Sequence, residues 1–339
     1  MRYYIFLISL FLLLFQSCSI EKDEVINVYS GRHYSSDEEL FKRFSDQTGI
    51  KVNLIKADSD QLINRLTVEG KNSPADLFIT ADVSRLSQAA NLGLLQAIPN
   101  EVFEDKVPSN LRDPNGMWTG LTKRARVIVY DKGRVKDGEI ANYEDLTDVR
   151  WKNRILARSS QSHYNQSLIA SIISALGVDK SRDWVSGMVT NFSQEPKGND
   201  RDQVKAIAAG IGDVALVNTY YLGLLLNSSN PEEREVAQQV GIIFPNQGNR
   251  GTHVNVSGVA LTASSSNREN ALELVKFLLS VESQEYLSSE NFEYPVNPEA
   301  SWPALLTNWG TFKEDSINLN SLNMYLPEAM MIANQAGWK

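Results

Sequence analysis

Four tyrosines stand where predicted strands give way to predicted helices: Tyr34, Tyr164 and the adjacent pair Tyr220 and Tyr221. In an open α/β sheet, ligands sit in the crevice outside the carboxyl ends of the strands, so residues sharing that address converge although far apart in the chain. Four phenol oxygens in one cleft suit a hard, highly charged cation. A single tyrosine at a strand end is ordinarily a half-buried packing residue with its hydroxyl in water; the repetition of the address singles these four out. Each also falls near a helix amino terminus, where unpaired N–H groups and the helix dipole favour negative charge and are expected to help a phenol ionise.

The elements that position them follow from local pattern. Residues 25–29 are apolar and β-branched and predict a strand, followed after the Ser30-to-Tyr34 loop by a helix. Ser35 and Ser36 are placed to cap that helix with Glu38 and Glu39 three residues on; Leu40, Phe41 and Phe44 form its buried stripe, and Gly49 stops it. Strands are predicted over 51–55 and 75–80, the second followed by a helix over 82–92, with capping and turn roles for Asp76 and Asp82. The pattern repeats: a strand over 154–157, a loop delivering Tyr164, a helix over 165–176, then a strand over 213–217 that leads into Tyr220 and Tyr221. This alternation implies an α/β fold with mainly parallel sheets. The stretches 120–131, carrying Lys123, Arg124 and Arg126, and 253–262 are placed to cross between two lobes. A double crossing makes a hinge, and a cleft between hinged lobes can close on a ligand. The basic cluster reads as a cleft or interlobe charge group, and His163 and His253 as structural or exposed.

The stretch 3–15 is uncharged and rich in Leu, Ile and Phe, too short to span a bilayer but suited to a secretory leader. Cys18, the only cysteine, lies where a bacterial lipoprotein is cleaved and lipidated, and Phe15-Gln-Ser-Cys18 resembles a lipobox; a plain signal peptide is the other reading. The expected organisation is a leader over 1–17, a lipidated cysteine and tether over 18–24, a first lobe of 25–122 plus 247–297, and a second of 123–246 plus 298–339. One cysteine excludes an internal disulfide or a thiolate metal cluster. The net charge of −8, one unit more negative once Arg2 leaves with the leader, argues against nucleic acid or an anionic lipid surface as the main partner. No phosphate-cradling Gly-Lys-Ser/Thr loop, His-Glu-x-x-His helix or Gly-x-Ser-x-Gly turn occurs, so the chain is not expected to be an enzyme, nor the ATPase of a transporter.

The chain resembles the ferric-iron-binding proteins of bacterial ABC importers, especially their cyanobacterial-type branch. The resemblance is carried in order by Tyr29-Ser-Gly-Arg-His-Tyr34, Asn72-Ser-Pro-Ala-Asp76, Thr122-Lys-Arg-Ala-Arg-Val127, Tyr164-Asn-Gln-Ser-Leu168, Glu195-Pro-Lys-Gly-Asn-Asp200, Asn218-Thr-Tyr-Tyr221 and Arg250-Gly-Thr-His-Val-Asn-Val-Ser-Gly258. It implies a two-lobed, type II periplasmic-binding-protein fold and a monomeric receptor outside the cytoplasm, tethered by its lipid, that passes Fe(III) to a membrane permease and its ATPase subunit. It also implies that Tyr34 from the first lobe and Tyr164, Tyr220 and Tyr221 from the second bind the metal. His33 is a candidate fifth ligand, with a hydrogen-bonding role in its loop as the alternative, and a synergistic anion such as carbonate or citrate is a possible further ligand.

Fe(III) prefers anionic oxygen, and a coordinating metal can displace the phenol proton, which otherwise leaves near pH 10. Binding should therefore release protons and weaken in acid. Three phenolates balance the ion and a fourth leaves an excess of −1. Family members can offset that with an arginine shortly after the tyrosine pair, but residues 222–226 contain none. The balance can come instead from Arg32, Arg126 or Arg158, from one tyrosine kept protonated, or at the expense of affinity. Two other readings stay open: capture of a small anion, thiamine or a polyamine, which four phenols without a carboxylate cluster suit poorly, and an extracellular metalloenzyme with His33 as its base.

Overall fold

The computed structural model describes residues 24–32 and 34–339. The leader, Cys18 and His33 lie outside the described residues. The strands form one hydrogen-bonded path in the order β2 (Lys51–Lys56), β1 (Val25–Ser30), β3 (Leu77–Thr80), β9 (Val254–Thr262), β5 (Thr119–Asp131), β7 (Val214–Asn218) and β6 (Ile155–Leu156). Short strands β4 (Leu95–Gln96), β8 (Val240–Ile243) and β10 (Tyr294–Pro295) pair beside it, on β9, β5 and β5 respectively. Pairing is parallel between β1 and its neighbours β2 and β3, and between β6 and β7. The long strands β5 and β9 run antiparallel to theirs.

Strand β5 changes its pairing partner part-way along. Its first half pairs with β9 as far as Ala125, and from Arg126 onward it pairs with β7. The return crossing comes after β8, through the segment that ends at His253, whose carbonyl accepts from Arg126 N at 2.9 Å. Because side chains alternate along a strand, Thr122, Arg124 and Arg126 share one face. Lys123 turns the other way and pairs with Glu314 at 2.7 Å. All but two residues of β5 are buried, so this face is the floor on which both lobes rest.

Helices α1 (Ser35–Thr48), α2 (Ser59–Glu69) and α3 (Val83–Asn91) flank the first sheet; α4 (His163–Leu176), α5 (Val178–Asn191), α6 (Asp200–Ala208) and α7 (Thr219–Leu226) flank the second. Leu40, Phe41 and Phe44 of α1 are buried as expected, and the helix ends at Gly49, whose N–H caps Ser45 O at 2.9 Å. Its start differs from expectation. Tyr34 itself, in extended conformation, is the cap residue and no side chain caps the helix. Ser35 is the exposed first residue of the helix, and Ser36 is buried and donates instead to Asn291 Oδ1 at 2.8 Å, a tertiary bond that outcompetes the local one. A C-terminal helix, Leu326–Gln335, packs against α4 and α5.

Candidate functional site

The four tyrosines line one cavity of about 300 Å³ between the lobes. Tyr34 enters from the turn after β1, Tyr164 is the second residue of α4, and Tyr220 and Tyr221 are the second and third of α7. The hydroxyls of Tyr164 and Tyr220 lie 3.2 Å apart. The Tyr34 ring meets the Tyr220 ring edge-on at 6.4 Å between centroids, and the Tyr220 and Tyr221 rings overlap at 4.1 Å. Four phenols contributed by three distant segments thus share one pocket.

Burial governs the protonation of Tyr34, Tyr164 and Tyr220. It pushes the Tyr34 phenol well above its ordinary value, with the nearby negative charge of Glu293 adding to the effect and Arg32 opposing it. Burial likewise raises Tyr164 and Tyr220, with further contributions from neighbouring phenols and an opposing one from Arg124. The expected help from helix amino termini is therefore outweighed in the metal-free protein: desolvation penalises a phenolate more than the partial charge of one helix end rewards it. These three phenols hold their protons at neutral pH until something stronger than a helix end displaces them.

Arginines surround the pocket, three of them buried. Arg32 lies 4.8 Å from the Tyr34 ring centroid, 3.2 Å from Asp37 Oδ2 and 3.6 Å from Glu293 Oε2, yet its Nε and Nη2 have no hydrogen-bond partner, so the carboxylates counter its charge without good geometry. Arg124 lies 5.4 Å from the Tyr164 ring, pairs with Asp82 at 3.6 Å and donates to Ala81 O. Arg126 is turned away from the phenols into Asp200 and Asn165. Arg158 is 5.3 Å from the Tyr164 ring, and Arg201 lines the cavity beside Tyr221.

Arg124 stands out in sequence only as one of a basic cluster. The signal that separates it is the period-two alternation of β5, which sends Arg124 and Arg126 under the cleft and Lys123 away from it. Asp82 does cap α3, accepting from Ser84 N at 2.8 Å, but also lines the cavity and opposes Arg124, a second role that local pattern did not separate from the first. Asp76 stays outside, bonding Asn27 N at 2.8 Å and Ser265. His163 lines the cavity with its ring 4.3 Å from that of Tyr164, and burial pushes its pKa down. His253 is buried under the seam between the lobes and is held neutral, its pKa lowered to about 3 chiefly by desolvation.

Among the described residues no group of three or more His, Cys, Asp or Glu side chains is gathered to hold a metal. The cavity that the four phenols line is also lined by Asp58, Asp60 and Asp82.

Residues 72–310 match the bacterial extracellular solute-binding protein family. The chain belongs to this family. Within it, the chain is 46% identical over 318 residues to iron uptake protein A1 of Synechocystis sp., covering 94% of this chain and 88% of that protein. The fold superimposes on that of the Trichodesmium protein FutA, solved with iron and citrate ligands, with a TM-score of 0.90, 46% identity and coverage of 93% of this chain and 100% of that one. The ferric binding protein of Campylobacter jejuni gives a TM-score of 0.88 at 44% identity, again covering 93% and 100%. The two-lobed, type II binding-protein architecture with its crossing strands is thus that of these solute-binding relatives.

Proposed function

We propose that this protein is the extracytoplasmic Fe(III) receptor of an ABC importer, which closes its cleft around the ion through Tyr34, Tyr164, Tyr220 and Tyr221 and delivers it to a membrane permease. The carrying observation is the convergence of four phenols from both lobes on one cavity. The relatives' iron and ferric binding points the same way. Phenolate is the most basic oxygen a side chain offers, and a triply charged ion can displace protons that burial otherwise keeps in place. Arg124, Arg32 and Arg158 stand close enough to the rings to offset the excess charge of a fourth phenolate, which supports compensation from these residues in place of the arginine missing after the tyrosine pair. A carboxylate-bearing anion such as citrate can share the site with them.

On this reading Tyr34 belongs to a first lobe of 25–122 plus 247–297 and the other three tyrosines to a second of 123–246 plus 298–339. The change of partner along β5 and the packing of the C-terminal helix on α4 and α5 support that division. The protein works as a monomer without catalysis. It is held to a membrane through lipid on Cys18, a reading that rests on the lipobox-like Phe15-Gln-Ser-Cys18 behind an apolar leader. Release of a Cys18→Ala variant into the soluble fraction would support the tether, and unchanged membrane retention would count against it.

The test of the site is a titration of the metal-stripped mature domain with ferric citrate at neutral pH, followed by visible absorption. A broad phenolate-to-iron charge-transfer band saturating at one equivalent is expected. The buried phenols are protonated when empty, so binding releases their protons and each released proton weakens affinity about tenfold per unit fall in pH. The band should accordingly bleach in acid. A colourless titration would overturn the assignment and move the search to anions and organic cations.

A further inference from the structure

The three second-lobe tyrosines come from two separate segments, and one buried carboxylate is tied to both segments and to the crossing strand. Asp200, at the start of α6, is fully buried. Its Oδ2 accepts from Asn218 N at 2.7 Å, the cap residue directly ahead of the helix that carries Tyr220 and Tyr221. The same oxygen accepts from Arg126 Nη1 at 2.5 Å, and Oδ1 accepts from Arg158 Nη1 at 3.3 Å. Arg126 also donates through Nη2 to Asn165 Oδ1 at 2.8 Å. Asn165, itself fully buried, donates to the carbonyls of Arg158 and Ser159 at 3.0 and 3.1 Å, fastening the loop that delivers Tyr164. The turn ahead of Asp200 is held by the Asn199–Asp202 capping box. Gly198 takes a φ of +70°, and a Cβ there would stand 2.6 Å from the Asp202 carboxylate that closes the capping box of α6.

We propose that Asp200 is a positioning residue of the iron site, holding Tyr164, Tyr220 and Tyr221 in one constellation and tying that constellation to β5. The proposal rests on the ferric reading above. Ionised phenols repel one another, so a site that needs three of them on one wall needs their backbones fixed from behind. A short carboxylate with both oxygens engaged by three separate elements supplies such a fixture.

The opposite end of β7 offers an internal control. There Asp213 accepts from Arg134 Nε at 2.5 Å and Arg154 Nε at 2.6 Å, again one carboxylate between two arginines, but with no tyrosine of the cleft attached. Charge and position also predict opposite signs at Asp200. Neutralising it leaves Arg126 and Arg158 less opposed, and the added positive charge favours an Fe(III)–tetraphenolate centre, whose net charge is −1. Loss of positioning weakens the same centre.

The experiment compares the mature wild-type protein with Asp200→Asn, Asp200→Glu and Asp213→Asn. Each is titrated with ferric citrate while the charge-transfer band, competition by added citrate, circular dichroism and thermal unfolding are followed. The Asp200 variants are expected to bind about 10- to 100-fold more weakly, the range for residues that orient metal ligands, with a displaced band. Asp213→Asn is expected to melt earlier but to keep the wild-type band and affinity. Unchanged or tighter binding by Asp200→Asn, or an equal loss in Asp213→Asn, overturns the proposal. If Asp200→Asn does not fold, Asp200→Glu, which keeps the charge but moves it by one methylene, decides alone. A colourless wild-type protein sinks the ferric reading and this role with it, whereas a coloured wild type with indifferent Asp200 variants sinks only this role.

Discussion

The two walls of the cleft carry opposite formal charge behind their phenols. On the lobe division proposed above, the first lobe supplies a single tyrosine, Tyr34, beside Arg32, which is set between Asp37 and Glu293, one cation to two carboxylates. In the second, three tyrosines stand in front of Arg126 and Arg158, which share Asp200, two cations to one carboxylate. Arg124 lies at the seam, paired with Asp82. The wall that would take three phenolates is built on a positive background, and the wall that would supply one on a negative background. On the proposed reading, iron settles first where anions are best tolerated, and Tyr34, raised by burial and by Glu293, surrenders its proton only when the ion reaches it across the cleft. Closure then follows ion binding because the last phenol is on the other lobe.

The comparison breaks most visibly at the second wall. Combined Tyr220→Phe and Tyr221→Phe should abolish most ferric affinity and the charge-transfer band, with circular dichroism unchanged; near-wild-type iron retention by that variant would defeat the assignment. Tyr34→Phe should cost less. Three phenols remain, so the band should persist while affinity falls and small-angle scattering shows that iron no longer closes the lobes. A variant that still closes would show that Tyr34 is not the bridge. The smallest effects separate the two charge backgrounds by sign. Arg124→Gln removes a cation that stabilises ionised Tyr164 and Tyr220, and should weaken binding about fivefold, roughly 1 kcal/mol, the size of one charge pair a few ångströms apart under the near-aqueous screening of an open cleft. Glu293→Gln removes a charge that opposes ionisation of Tyr34, and should tighten binding by a similar factor and move acid bleaching to lower pH. Shifts of the same sign in both variants would mean that the backgrounds do not act as described.

Much of this arrangement was legible in the chain. The predicted strands at 25–29, 51–55 and 213–217 correspond to β1, β2 and β7 within one or two residues. Hydrophobic periodicity is local, and in these segments local preference and burial agree. Capping was less legible where a cap residue had a tertiary rival, as at Ser36, whose hydroxyl serves Asn291 some 255 positions away. The three buried arginines of the cleft floor, Arg32, Arg124 and Arg126, could be named as basic residues but not assigned partners. Arg32 has a near partner in Asp37, but Glu293, Asp82 and Asp200 lie far from the arginines they face, and no spacing rule links them.

What the sequence determined by itself was therefore the kind of chemistry: four tyrosines at strand ends, too few cysteines for thiolate ligation, an acidic chain and none of the common catalytic motifs. Those are properties of residue type and of position within a local element. The tertiary structure decided the charge on each wall, the protonation of the phenols and the identity of Asp200 as a shared anchor. Each of these depends on distance through space and on exclusion of water, which are set only when β5 and β9 bring the two lobes together.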